Sequence, residues 1–319
     1  MVSRVLVTLG VLVVWIPALG QPYPSRPITS VVGFAPGGAT DTVSRIIAEP
    51  LGKALGQQVL TDNKAGAGGT IAVDLVAKAA PDGYTIVLAN VGAMASNPHI
   101  MKLSYDPLKD LAPITMATVF ANVIVVQPDS PAKTLKEFVD LARQRPGQIT
   151  YGSSGVGGAA HLAGELLEQM AKIYLVHVPY RGGGPGMQGF LGGQTDVFIA
   201  TPVTSIGQIK AGRARALATT GPKRAALMPD VPTVAEQGYP GYEAVNWYAY
   251  YGPKGLPREI VDKLNSAITT VLKQPATIAA LEKQGVEPQS STPEELARYT
   301  AQELKTWGRV VKEAGIQPQ

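Results

Sequence analysis

Two glycine-rich stretches carry the residue types that could hold an anion. The first, Phe34-Ala35-Pro36-Gly37-Gly38-Ala39-Thr40-Asp41, ends a short β-rich run and opens a run of helical periodicity. The second, Tyr151-Gly152-Ser153-Ser154-Gly155-Val156-Gly157-Gly158, stands in the same position before the helix of His161. Glycine lets the backbone approach a guest closely. The first amides of a helix lack intrahelical acceptors and carry partial positive charge. A strand–glycine–helix junction is therefore a cradle for a carboxylate or a phosphate. Thr40, Ser153 and Ser154 add hydroxyls. Asp41 reads either as part of the cradle or as a plain N-cap.

A third turn, Arg181-Gly182-Gly183-Gly184, sets a guanidinium after a strand. There it can fork a carboxylate or lie solvated on the surface. Phe34 adjoins the first cradle and can wall a pocket, whereas Tyr180, Phe198 and Trp247 read as core aromatics. Asn90, after the strand Thr85–Ala89, and Thr201, after Asp196–Ala200, complete the set. The candidate ligand contacts are thus Phe34, Pro36, Gly37, Gly38, Ala39, Thr40, Asp41 and Asn90 from one half. From the other come Ser153, Ser154, Gly155, Gly158, His161, Arg181 and Thr201.

Catalytic alternatives fit less well. Gly155-x-Gly157-x-x-Ala160 matches a dinucleotide-binding pattern, but that pattern needs an acid at the end of the next strand. Here the strand ends Val178-Pro179-Tyr180-Arg181. Ser154 lies in Gly-Ser-Ser-Gly, not in a nucleophile elbow, and His161 follows seven residues later on a helix. A secreted serine hydrolase is the enzyme alternative, although His161 suits a hydrogen bond to the loop or a ligand contact better than a triad base. The P-loop, zinc-protease and EF-hand patterns are missing. No cofactor, metal or catalytic residue is expected.

Composition narrows the partners. The 319 residues contain no cysteine and three histidines, which excludes thiol chemistry, disulfides and cysteine-based metal sites. The net charge of +4 is scattered and only 6% of residues are aromatic, so no nucleic-acid footprint is present. The first twenty residues hold one charge, Arg4, then an apolar run from Val5 to Ile16, Pro17 and Ala18-Leu19-Gly20. This is the layout of a secretory signal peptide cleaved before Gln21, and the run is too short to span about 30 Å of hydrocarbon. The protein is expected outside the cytoplasmic membrane, in the periplasm.

The elements that must position the cradles follow from periodicity. Strand-like runs at Ile28–Phe34, Gln58–Thr61 and Thr85–Ala89 alternate with helical runs from about Thr40 to Leu55 and from Thr70 to Ala80. Pro50 is expected to kink the first helix. The rhythm restarts at Val123–Gln127 and continues with strands at Ile149–Tyr151, Tyr174–Val178, Asp196–Ala200 and Ala216–Thr220. Thr134–Glu137 and Thr292–Glu295 are capping boxes, and the tail from Pro257 is helical. Strands alternating with helices imply parallel βαβ units in two halves. The fold class is α/β, and a guest with a carboxylate at each end could touch both halves and close them.

Several stretches together resemble the extracytoplasmic solute receptors of tripartite tricarboxylate transporters, the Bug or TctC-type proteins. They are Tyr23-Pro24-Ser25-Arg26-Pro27-Ile28, Phe34 to Asp41, Asn63-Lys64-Ala65-Gly66-Ala67-Gly68-Gly69 and Pro81-Asp82-Gly83-Tyr84-Thr85. Tyr151 to Gly155, Met228 to Glu236 and Trp307-Gly308-Arg309-Val310-Val311 complete the series, which covers essentially all of the chain after residue 20.

The resemblance implies a type II periplasmic-binding-protein fold, two αβ lobes joined by two crossovers near Ala121–Asn122 and Tyr242–Tyr248. Lobe one would hold residues 21–121 and 246–319, and lobe two 122–245. It implies ligand carboxylates held by the loops after Phe34 and Tyr151, partly through ordered water, and two membrane subunits as partners of a monomer. A ligand-loaded co-sensor for a signalling receptor is a further alternative. Two departures bear on the ligand. Asp62 stands before Asn63 where the family usually has a longer acid, and Ala200-Thr201 stands where members often carry an acid. No counter-charge for an ammonium remains, so the expected ligand is a mono- or dicarboxylate, aliphatic or aromatic, without an amino group.

Overall fold

A computed structural model describes residues 23–313. The expected signal peptide and its cleavage site before Gln21 lie outside the described residues. In chain order the first half runs β1 (Ile28–Val32), α1 (Ala39–Leu55), β2 (Val59–Asn63), α2 (Thr70–Ala77), β3 (Thr85–Asn90), α3 (Asn97–Ile100) and β4 (Leu111–Ala121). The middle runs β5 (Val123–Val126), α4 (Leu135–Gln144), β6 (Thr150–Ser153), α5 (Ala159–Ala171), β7 (Val176–Pro179), α6 (Gly183–Leu191), β8 (Val197–Ala200), α7 (Pro202–Lys210) and β9 (Arg215–Thr219). The chain then returns as β10 (Val245–Pro253), α8 (Arg258–Leu272), α9 (Pro275–Glu282), β11 (Glu287–Pro288) and α10 (Pro293–Glu313).

These strands form two sheets, ordered β11-β4-β10-β3-β1-β2 and β7-β6-β8-β5-β9. In the first, β1 pairs parallel with β2 and β3, while β10 runs antiparallel between β3 and β4. The second repeats the scheme: β6 pairs parallel with β7 and β8, and β5 runs antiparallel between β8 and β9. Helices cover both faces of each sheet, as parallel strands require. Ile28, Val32, Ile86 and Leu88 pack on Val43, Ile47 and Leu51 of α1 and on Leu264 and Ile268 of α8. In the second sheet Val123, Val125, Phe198 and Ala200 pack on Met187, Phe190 and Ile206 of α6 and α7. The expected α/β fold with two αβ lobes is observed.

A further apolar cluster runs from Val31, Val87 and Ala89 of the first sheet through Tyr242, Ala244 and Trp247 to Ile124, Tyr151 and Val197 of the second. The lobes thus share buried contact around the crossing strands. The backbone leaves the first sheet at Ala121, enters the second at Val123, and returns between Thr219 and Val245. Thr220 ties the two passages. Its N–H donates to Asn122 O at 3.0 Å, its hydroxyl accepts from Asn122 N–H at 2.9 Å and donates to Ala244 O at 2.7 Å.

The structure differs from expectation in several elements. The helix from Thr70 ends at Ala77, short of the expected Ala80, whereas α1 runs through Pro50 to Leu55 as expected. Helix α1 starts at Ala39 with Gly38 as its N-cap, so Asp41 lies in the first turn and is not the cap. β4 and β10 are strands that periodicity did not mark. β10 is buried along nearly its whole length on both faces and shows no alternation. β4 contains Pro113, accommodated at a register shift opposite Tyr251. Part of the expected second crossover, from Val245 onward, is this strand.

Candidate functional site

The two lobes meet along the C-terminal ends of their parallel strands, where the glycine turns face each other. Ala35 N–H donates across the cleft to Arg181 O at 3.2 Å, and the Ser96 hydroxyl donates to Gly157 O. The approach leaves little or no room for side chains. A Cβ on Gly184 would lie 3.3 Å from the carbonyls of Pro36 and Gly37, and one on Gly68 would collide with Val156 O.

Inside this seam Phe34, Ala39, Thr40, Asn90, Asn246 and Tyr248 of lobe one face Ser154, Gly158, Ala159, Gly183 and Thr201 of lobe two. They bound about 320 Å³ of space, part of it continuous with solvent. Four helices begin at this wall. Ala39 and Thr40 are in the first turn of α1, Gly158 caps α5, Gly183 is the first residue of α6, and Thr201 caps α7. Each contributes unpaired first-turn amides and a positive dipole end. No charged side chain lines the cavity, so its positive potential comes from backbone and its specific contacts from hydroxyls and carboxamides. The Asn246 carboxamide is nearly buried, and its Oδ1 has no protein partner. A buried amide oxygen needs a donor from a guest or from water.

A second space of about 470 Å³, part of it open solvent, adjoins the first through Phe34 and Ser154. Its other walls are Gly33, Gly66–Gly68, Gly155, Val156, Pro179, Tyr180 and Arg181. Arg181 is therefore at the outer chamber and not against the inner one.

Of the candidates named from sequence, the inner cavity gathers Phe34, Ala39, Thr40, Asn90, Ser154, Gly158 and Thr201. Gly155 and Arg181 stand at the outer chamber. Pro36, Gly37, Gly38, Asp41, Ser153 and His161 line neither; they shape the turns from behind. Ala159, Gly183, Asn246 and Tyr248 line the cavity without having been singled out. Gly183 was legible as part of the third glycine turn. Asn246 carried a fainter signal, a carboxamide in an otherwise aromatic and apolar run. Tyr180 lines the outer chamber, whereas Phe198 and Trp247 are core.

The supporting residues form two networks. In lobe one, Asp41 accepts from Gly37 N–H at 3.0 Å, Arg45 Nε at 2.9 Å and Asn63 Nδ2 at 3.1 Å. Asn63 Nδ2 also donates to Phe34 O at 2.9 Å. Burial alone would raise the Asp41 pKa, but the bonds from Arg45, Gly37 and Asn63 outweigh it and hold the carboxyl below its ordinary value. In lobe two, His161 Nδ1 accepts from Gly157 N–H at 3.1 Å, and its ring stacks on His177 with centroids 4.1 Å apart. His177 Nε2 lies 2.7 Å from the Ser153 hydroxyl, whose oxygen accepts from Gly155 N–H at 3.2 Å. Burial, with the neighbouring His161, pushes the His177 pKa down to about 3, so it is neutral. Glu165 takes a hydrogen bond from Tyr151 at 2.7 Å and stays below the ordinary carboxylate range despite its burial. Next to it Glu168 is pushed up to about 8 by burial and by the charge of Glu165.

This arrangement binds rather than converts. No histidine or acid lines the cavity near Ser154, and both His161 nitrogens face partners within lobe two. Among the described residues no three acidic or histidine side chains gather as a metal site.

Known proteins agree with this picture. The chain matches the tripartite tricarboxylate transporter family receptor model over residues 43–316. It is 35% identical to protein BugT of Bordetella pertussis over 319 residues, covering 98% of each chain. Rpa4515 of Rhodopseudomonas palustris, solved with adipate, superposes with a TM-score of 0.90 at 34% identity, over 93% of this chain and 100% of that one. MatC from the same organism, solved with malate, gives 0.86 at 33%, over 91% and 100%. With two lobes, four helix N-termini aimed into the cleft between them and this match over most of its length, the chain belongs to the tripartite tricarboxylate transporter receptor family, as a solute-binding protein and not an enzyme.

Proposed function

We propose that this protein captures a small organic carboxylate between its lobes in the periplasm and delivers it to the two membrane subunits of a tripartite transporter. The observation that carries the reading is the convergence of four helix N-termini on one cavity lined by neutral donors. A carboxylate seated there would take hydrogen bonds from first-turn amides and from Thr40, Ser154 and Thr201. The related receptors bound to adipate and malate support a carboxylate guest. No acidic side chain lines the inner cavity, so an ammonium group would have no counter-charge. The ligand class is therefore a mono- or dicarboxylate without an amino group, aliphatic or aromatic.

In this reading residues 21–121 with 246–319 and residues 122–245 close as two bodies on the guest, and residues 1–20 direct export. Calorimetric titration of the mature protein with a carboxylate panel tests it. Binding of adipate, malate or an aromatic acid, with aspartate and glutamate much weaker, is the expected result. Tight binding of aspartate or glutamate alone would overturn the ligand class. Transport is tested separately, by loss of growth on the bound acid when this gene is deleted.

A further inference from the structure

The two cradles are built on one plan. Gly37 and Gly157 both have a left-handed backbone, with φ of 79° and 71°. Each is followed by an extended glycine that caps a helix, Gly38 and Gly158. In each, the N–H of the left-handed glycine donates to a side chain four residues on, in the first helical turn. The acceptor is the Asp41 carboxylate in one lobe and the His161 imidazole in the other. The pattern Gly-Gly-Ala-x-acceptor thus occurs twice, with different acceptors.

We infer that His161 is the positioning residue of the lobe-two cradle, doing through Gly157 what Asp41 does through Gly37, and that it must be uncharged to do so. This rests on the reading of the cavity as an anion site. Around Asp41 the negative charge is answered by Arg45. Around His161 the charged neighbour is instead Glu165, 3.4 Å from Nε2. A neutral imidazole satisfies both sides: Nε2–H points to Glu165 while Nδ1 accepts from Gly157. A carboxylate at 161 would face Glu165 and place a negative charge beneath the anion site. Gly157 is also the residue that lobe one grips, through the Ser96 hydroxyl on its carbonyl. His161 therefore fixes the peptide on which the two lobes close, as well as the turn that presents Ser154 and Gly158 to the cavity.

The test uses the full mature protein, three variants and two readouts. His161→Phe keeps a stacking ring without an acceptor, His161→Asn offers a neutral acceptor near the place of Nδ1, and His161→Asp offers a charged one. Deuterium exchange at the Gly157 amide reads the hydrogen bond with no ligand present. We expect exchange to speed up about tenfold in H161F and to return toward the native rate in H161N. Titration with adipate and malate should weaken about tenfold in H161F and H161D and recover in H161N. Unchanged Gly157 exchange in H161F, H161N as weak as H161F, or H161D binding like the native protein would each overturn the inference. If H161F does not fold, the contrast of H161N with H161D still decides it. If the native protein binds neither acid, the ligand reading fails by itself, and the exchange measurement still decides whether His161 holds Gly157.

Discussion

In lobe one the turn before α1 is tied by a carboxylate whose arginine partner reaches into solvent, its side chain 55% exposed. In lobe two the turn before α5 is tied by an imidazole stacked on His177, which stacks in turn on Tyr151, with Glu165 beside them. The backbone outcome is nearly the same. The physics that maintains it is not: one side depends on an arginine–carboxylate pair that solvent and salt can reach, the other on an imidazole acceptor packed against His177 and beside Glu165. A turn of this shape specifies an acceptor four residues after the left-handed glycine, and the surroundings decide whether that acceptor can carry charge.

The largest effect should come from removing the lobe-one acceptor. Asp41→Ala orphans the Gly37 amide and frees Asn63 and Arg45, and should cost about 2–3 kcal/mol in denaturant unfolding at pH 7. Because the Asp41 pKa is lowered in the fold, the native advantage is present above the unfolded value of 3.8 and shrinks as pH falls below it. A deficit that persists undiminished in acid would mean that packing, and not the carboxylate, holds the turn.

The next prediction addresses the seam between the lobes. Gly184→Ala places a methyl 3.3 Å from the carbonyls of Pro36 and Gly37, a contact that the proposed opening of the lobes would relieve. Titration with the bound acid should show about tenfold weaker binding, with unfolding stability unchanged or slightly higher since alanine favours helix. Unaltered affinity would show that closure does not require this approach.

A pH profile probes lobe two next. Glu168 has a pKa of about 8 in the fold against 4.5 ordinarily, so the folded protein holds the extra proton in between. Stability should fall as pH rises through that window. His177, at about 3 against 6.5, works in the opposite sense and lowers stability as pH drops through its own window. The two slopes oppose each other between 4.5 and 6.5, and above about 6.5 Glu168 acts without His177. Glu168→Gln should therefore flatten the decline toward pH 8, gaining on the order of 1 kcal/mol there once partial exposure is allowed for, and nothing below 4.5. An unchanged slope above 6.5 would rule Glu168 out as its source.

Arg45→Ala should have the smallest effect, about 0.5 kcal/mol or less, and the native protein should lose the difference in high salt. A larger, salt-insensitive loss would erase the contrast drawn between the lobes.

Much of this is legible in the residue order alone. Glycine pairs after apolar runs, followed by helical periodicity, marked both cradles, because strand–turn–helix junctions are encoded locally. Both capping boxes form as read: Glu137 N–H donates to Thr134 Oγ1 at 3.2 Å, and Glu295 N–H to Thr292 Oγ1 at 3.1 Å. β4 and β10 escaped because strands buried on both faces lose the alternation that betrays a strand. Asn246 and Tyr248 escaped with them, since their role depends on a pairing more than a hundred residues away, Asn246 beside Phe120. His161 was visible as a residue of interest, but sequence could not tell a group that touches the guest from one that stands behind the turn.

Local residue order supplies the parts: two glycine turns, the helices they open, and a chain without thiols. Those features depend on residues within a few positions of each other. Packing between distant segments sets which parts face each other. It aimed four helix ends at one space, set Arg181 at the outer chamber, and answered Asp41 with an arginine but His161 with a glutamate. Such choices depend on how distant segments pack, and no local pattern records them.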